Sequence, residues 1–81
     1  MNPISTPVPL SSLPPGAKAV VREIQIPVQH RARLLEMGLL VGTLVEIVRF
    51  APLGDPIELK VRGYNLSLRK HEAELVMVRP A

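Results

Sequence analysis

The stretch Ile57-Glu58-Leu59-Lys60-Val61-Arg62-Gly63 decides how this chain reads. Ile57, Leu59 and Val61 fall on one side of an extended backbone and Glu58, Lys60 and Arg62 on the other, because side chains alternate faces along a strand. One apolar side and one charged side define an antiparallel strand with its inner face on a core and its outer face in water. Gly63 interrupts the alternation, and Leu66 and Leu68 resume it in a second short strand. Upstream, Pro52-Leu53-Gly54-Asp55-Pro56 makes a tight turn: the prolines fix φ, the glycine relaxes it, and the aspartate side chain can cap it.

Working outward, Thr43 to Ala51 is a long β-rich run with Val45 and Ile47 on one face. Ala17 to Gln25 reads as a strand in which Ala19 and Val21 share a face and Ile24 is out of phase, so a bulge is expected near Arg22-Glu23. Pro14-Pro15-Gly16 is the turn that introduces it. Pro27 to Met37 predicts the one helix, with Pro27 in its first turn, Leu34 and Met37 three apart on one stripe, and Gly38 as a left-handed cap that folds Leu39 back. At about ten residues it needs tertiary packing to form. Arg69 to Ala73 reads as a helical turn, and Glu74 to Val78 as the last strand, with Val76 and Val78 paired on one face and Pro80 ending it.

The sum is mainly β: about five short strands and one short helix inserted after the first strand. Strands at this spacing, separated by turns, predict a small barrel, whose closure removes exposed sheet edges. The 81 residues fit one domain, read here as residues 10–81, preceded by a flexible Pro-rich arm at residues 1–9.

Composition narrows the function classes. There is no cysteine, hence no disulfide framework, thiolate metal site or thiol nucleophile. No apolar run approaches the ~18 residues of a spanning helix, and no signal peptide is legible, so the expectation is a cytoplasmic protein with at most peripheral membrane contact. Ten Lys/Arg against seven Asp/Glu give a net charge of +3. That suits docking to an acidic protein or an anionic inner leaflet without singling out nucleic acid. Phe50 and Tyr64 are the only aromatics, too few for a base-stacking platform, so no nucleic acid is expected as a partner.

Catalytic and cofactor signatures are missing: no Ser/His/Asp arrangement, no phosphate-cradling loop and no dinucleotide fingerprint. The expectation is therefore no enzyme, no catalytic residue and no cofactor. His30 and His71 belong to no metal-binding pair, and Asp55 has only Glu58 near it in sequence. His71 with Glu72 and Glu74 amounts to at most weak transition metal ion binding at the surface, so no metal ligand is assigned.

Certain blocks are specific in order and spacing: Pro15-Gly16, Arg33-Leu34-Leu35-Glu36-Met37-Gly38-Leu39, Gly42, Ala51-Pro52-Leu53-Gly54-Asp55-Pro56, and Leu66-Ser67-Leu68-Arg69-Lys70-His71-Glu72-Ala73. Over about residues 10 to 79 the chain resembles the FeoA family, small bacterial cytoplasmic proteins encoded with the ferrous iron transporter FeoB. The resemblance implies an SH3-like β-barrel and an accessory role in Fe(II) uptake, binding FeoB and assembling or regulating it. The arm at residues 1–9 is an extension, and Val41 stands where the family usually has proline. SH3-like domains similar to FeoA also end metal-dependent repressors, which gives the alternative of a regulatory or nucleic-acid-associated module.

Two sets of residues are candidate partner contacts. Leu35, Leu39 and Leu40 are many apolar side chains around one short cap, and an exposed cluster of this kind marks a docking surface for FeoB or for weak self-association. Lys60, Arg62, Arg69 and Lys70 bring four basic residues within eleven positions, read either as one electrostatic docking patch or as a solvated barrel face partly neutralised by Glu58 and Glu72.

Overall fold

A computed structural model describes residues 6–81. Its elements are β1 (Val8–Pro9), a single 3-10 turn (Leu10–Ser12), β2 (Lys18–Ile24), α1 (Val28–Glu36), β3 (Leu44–Phe50), β4 (Ile57–Val61), β5 (Tyr64–Leu68), α2 (Lys70–Ala73) and β6 (Val76–Pro80). The strands form one antiparallel sheet in the order β1-β6-β2-β3-β4-β5. The last strand thus returns to lie between the first two, and the middle of the chain supplies the β2-β3-β4-β5 meander.

Alternation dictates which faces meet. Ala19, Val21, Val45, Ile47, Ile57, Leu59, Val61, Leu66, Leu68, Val76 and Val78 are all buried and come from the inner face of the five long strands. With no aromatic among them, the core is filled by branched aliphatic side chains, and the sheet has to curl tightly to close over so little volume. Two register shifts supply the bend, between Val21 and Glu23 against β6, and between Ile47 and Arg49 against β4. A bulge raises local twist and turns a strand away from the flat. The first was expected from the phase of Ile24; the second was not.

Leu10, from the 3-10 turn, and Ala73, from α2, seal one side of the core. Ile26, Leu34 and Leu39 seal another, and of these only Leu34 belongs to α1 itself. Pro27 sits at the N-cap, one position before the first turn, and the Arg31 guanidinium donates back to the Ile26 carbonyl at 2.8 and 3.1 Å. The helix is therefore pinned at its two ends, with Leu34 of the last turn as its one buried side chain.

Three expectations are corrected. There are six strands, because Val8 and Pro9 pair with Val78 and Met77. The N-terminal arm accordingly does not reach Pro9: a two-residue strand ending in proline is an effective edge, because it offers few free ladder groups. The remainder of the arm, residues 1–5, lies outside the described residues. The sheet is also not closed by hydrogen bonds. Its edges are β1 and β5, and curling rather than pairing encloses the core.

Leu59, fully buried at the centre of β4, tests this description. Leu59→Ala should cost about 2–5 kcal/mol, a large share of the ~4–12 kcal/mol available to a chain of this length. Urea unfolding should show a lower midpoint with an unchanged slope.

Candidate functional site

The end of α1 shapes the first candidate surface. Gly38 has φ +89°. Its N–H donates to the Leu35 carbonyl at 3.0 Å, and the Leu39 N–H donates to the Leu34 carbonyl at 3.0 Å. These are the paired bonds of a Schellman cap, whose apolar counterpart is a contact between the residue after the glycine and the last turn. Leu39 is that residue, and it is buried with Leu34. It therefore leaves the expected docking set, because cap geometry takes it into the core. Leu35 and Leu40 stay 41% exposed, and Val41 after them 64%.

Two outside contacts fix the cap. The Tyr64 hydroxyl donates to the Met37 carbonyl, one of the orphan groups at a helix end. The chain then turns at Val41-Gly42 and re-enters the sheet, with Gly42 N–H donating to Val21 O at 2.8 Å and Val21 N–H to Thr43 O at 3.0 Å. Leu40 and Val41 are thus held outward on a turn anchored at both sides.

The second candidate set does not form one patch. In the β4-β5 hairpin Ile57 pairs with Leu68 and Val61 with Tyr64. Antiparallel pairing sends the two ends of the basic run to opposite ends of the hairpin. Arg62 occupies the tip, and Lys60 pairs across with Glu46 and Asn65. Arg69 and Lys70 follow the far end of β5, about 20 Å away at ~3.3 Å per residue. The expected neutralisation also differs. Glu58 bonds Arg49 at 3.1 Å and Glu72 bonds Arg33 at 2.6 Å, so neither offsets the four basic residues.

At the Arg69 end, Arg33, Asp55, Pro56, Ser67, Leu68, Arg69 and Glu72 line an open depression of about 570 Å³. Its acids are committed to structure. Asp55 Oδ1 accepts the Lys70 N–H at 2.9 Å, and Glu72 Oε1 accepts the Arg69 N–H at 3.0 Å while its own N–H donates to the Arg69 carbonyl at 2.9 Å. The two carboxylates cap α2 between them, which gives a four-residue helix its start. The role of Asp55 as a cap for a helix fifteen residues away was not legible. Partial burial pushes the Glu72 carboxyl up, but the Arg33 and Arg69 hydrogen bonds and the charges of Arg33 and His71 outweigh it, and the net shift is downward. Among the described residues no three His, Cys, Asp or Glu side chains converge for a metal ion.

At the Arg62 end, Lys18, Gly42, Thr43, Leu44, Val45, Glu46, Lys60, Arg62 and Gly63 line a smaller, more apolar depression of about 430 Å³. Lys18 and Leu44 did not stand out in the sequence. They join Lys60 and Arg62 only through the register of β2, β3 and β4, which no local pattern reveals.

A small curled antiparallel sheet with one inserted helix, carrying apolar and basic surfaces, defines an SH3-like module. The family model described as "FeoA domain" matches residues 8–80, and the chain belongs to that family, a family of ferrous iron transport. It is 38% identical over 69 residues to an Fe(2+) transport protein A/Fe(2+) transporter FeoB fusion protein of Porphyromonas gingivalis, covering 85% of this chain and 8% of that one. The chain thus spans a small fraction of that relative's length. A FeoA-like protein from Clostridium acetobutylicum superposes with a TM-score of 0.85 at 36% identity, covering 95% of this chain and 90% of that one. The zinc complex of Stenotrophomonas maltophilia FeoA, described as an SH3 domain protein, gives 0.72 at 34%, covering 85% and 86%. T. acidophilum IdeR gives 0.82 at 22% identity, with 100% of this chain and 37% of that one covered, a likeness of fold alone.

Two predictions follow from the caps. Gly38→Ala should destabilise by about 1–2 kcal/mol, because a Cβ at positive φ is strained and would lie 2.6 Å from the Tyr64 hydroxyl. A double-mutant cycle with Tyr64→Phe, read by urea unfolding, should show non-additivity from the relieved clash. For Glu72 the folded pKa lies below the ordinary 4.5, so its stabilisation is full above that value and is lost as pH falls through the folded pKa. Glu72→Gln should flatten the acid limb of the stability profile relative to wild type, measured by thermal unfolding across pH 3 to 6.

Proposed function

We propose that this protein is a cytoplasmic accessory protein of ferrous iron uptake that binds the membrane transporter FeoB and assembles or regulates it. The observation that carries the reading is the Porphyromonas fusion protein, in which a homologue of this chain and FeoB form one polypeptide. Domains joined covalently in one species and similar to separate chains in another are commonly partners, since a tether only replaces encounter. The Stenotrophomonas protein is put forward as a ferrous iron transport activating factor, which supports the same role. The proposed role is one of binding, and the acids in the larger depression, Asp55 and Glu72, are engaged in capping α2.

The interface assigned to FeoB includes Leu35 and Leu40, half-exposed on either side of a rigid cap. Apolar side chains held outward by an ordered turn lose little entropy on docking. The alternative, a regulatory module like the terminal domain of metal-dependent repressors, draws support from the IdeR superposition, which is a likeness of fold. No helix among the described residues is long and apolar enough to cross a membrane.

Affinity purification from detergent-solubilised membranes of the native host tests this reading. Tagged wild type should recover FeoB, and a Leu35→Glu, Leu40→Glu variant, shown folded by circular dichroism, should not. No FeoB with wild type, even after crosslinking, would overturn the proposal. Recovery with both proteins would keep the partner and move the contact off the cap.

A further inference from the structure

The outer face of the sheet carries a charge pattern that the strand registers assemble from four separate segments. Lys18 pairs with Glu46, Glu46 with Lys60, and Lys60 with Asn65, giving one row across β2, β3, β4 and β5. Val20 pairs with Leu44 on one side and Arg79 on the other, giving a parallel row from β3 back to β6. Arg62 closes the face at the hairpin tip. Lys18, Lys60 and Arg62 thus flank Leu44, which is 53% exposed, with Glu46 between the two lysines, and Arg79 lies beyond Val20 on the same face. Among the described residues none of these four cations is in an ion pair. The apolar depression of about 430 Å³ opens in the midst of this face.

A second observation points to the same place. Arg62 has φ +52° and Gly63 φ +91°, the signature of a type I′ two-residue turn. The first position of that turn favours Asn, Asp or Gly, and Arg62 is the one residue other than glycine with positive φ among those described. A residue held in a backbone conformation that its side chain disfavours points toward a functional use of that turn.

We infer that this face is a recognition site for an acidic protein segment bearing an apolar side chain, the cations steering it and the depression beside Leu44 taking the apolar group. Separate unpaired cations with a cleft between them suit carboxylates spaced along a chain. An anionic membrane surface fits less well: it is flat, cannot fill a cleft, and would meet Glu46 at the centre of its contact. The inference rests on the FeoB reading, whose cytoplasmic region would supply the segment.

The experiment is recovery of FeoB from detergent-solubilised native membranes on tagged variants, at low and at moderate ionic strength. Lys60→Glu, Arg62→Glu and, separately, Leu44→Glu should each lower recovery about tenfold or more, and wild-type recovery should fall with salt. Glu46→Gln, which removes the acid without setting like charges opposite each other, should keep or raise it, which general disruption of the sheet would not do. Arg62→Asn should raise the melting midpoint and lower recovery together, so loss cannot be assigned to misfolding. If wild type recovers FeoB and the charge reversals recover it equally, the inference is overturned while the FeoB reading stands. If wild type recovers none, both fall. If the reversals instead abolish sedimentation with phosphatidylglycerol vesicles and leave FeoB recovery intact, the face serves the membrane and the inference is overturned.

Discussion

The turn at Gly38 is the constraint on which the rest of the molecule depends. A nine-residue helix with one buried side chain has little of its own to hold it. Its last carbonyls are satisfied by the cap, by Leu39 N–H folding back to Leu34, and by the Tyr64 hydroxyl on Met37 O. Positive φ at Gly38 lets the chain reverse so that Leu39 fills the core and Thr43 re-enters the sheet beside Val21. The same reversal leaves Leu40 and Val41 facing water. Core and candidate surface are thus consequences of one backbone conformation, and neither can be altered there without the other.

Most of the fold was legible because its strands are short and one face of each is buried. Period-two alternation at Ile57–Val61 and the phase change at Ile24 follow from which side chains must leave water, and a register slip would expose a whole face. The second bulge was hidden because Val48, Arg49 and Phe50 continue an unbroken β-rich run with no phase marker. The first strand was missed for a different reason. Val8-Pro9 has no periodicity, and its pairing with Val78 is a long-range fact that proline-rich composition argues against. Closure was over-read: the aliphatic core is small enough for a curled sheet to enclose, so β1 and β5 need not meet.

The candidate surfaces were half legible. Adjacent apolar residues after a glycine cap say that one of Leu39 and Leu40 must be outside, and cap geometry settles which. The basic run was misleading because proximity in sequence becomes opposition in space when a hairpin intervenes. Lys60 and Arg62 lost Arg69 and Lys70 as neighbours and acquired Lys18, 42 positions from Lys60, on the wall of the same depression. Only strand order supplies that information, and strand order is set by the core.

Structural and recognition demands on the outer face need not compete. Glu46 between Lys18 and Lys60 is a favourable cross-strand arrangement, of the kind that supports a sheet by a few tenths of a kcal/mol per pair, roughly 0.2–1. One carboxylate against flanking lysines stabilises pairing and still leaves an excess of positive charge facing outward. Arg62 is different: its backbone is left-handed, its side chain is exposed, and among the described residues it makes no ion pair. Its departure from the residues that this turn prefers is what the proposed recognition site would account for.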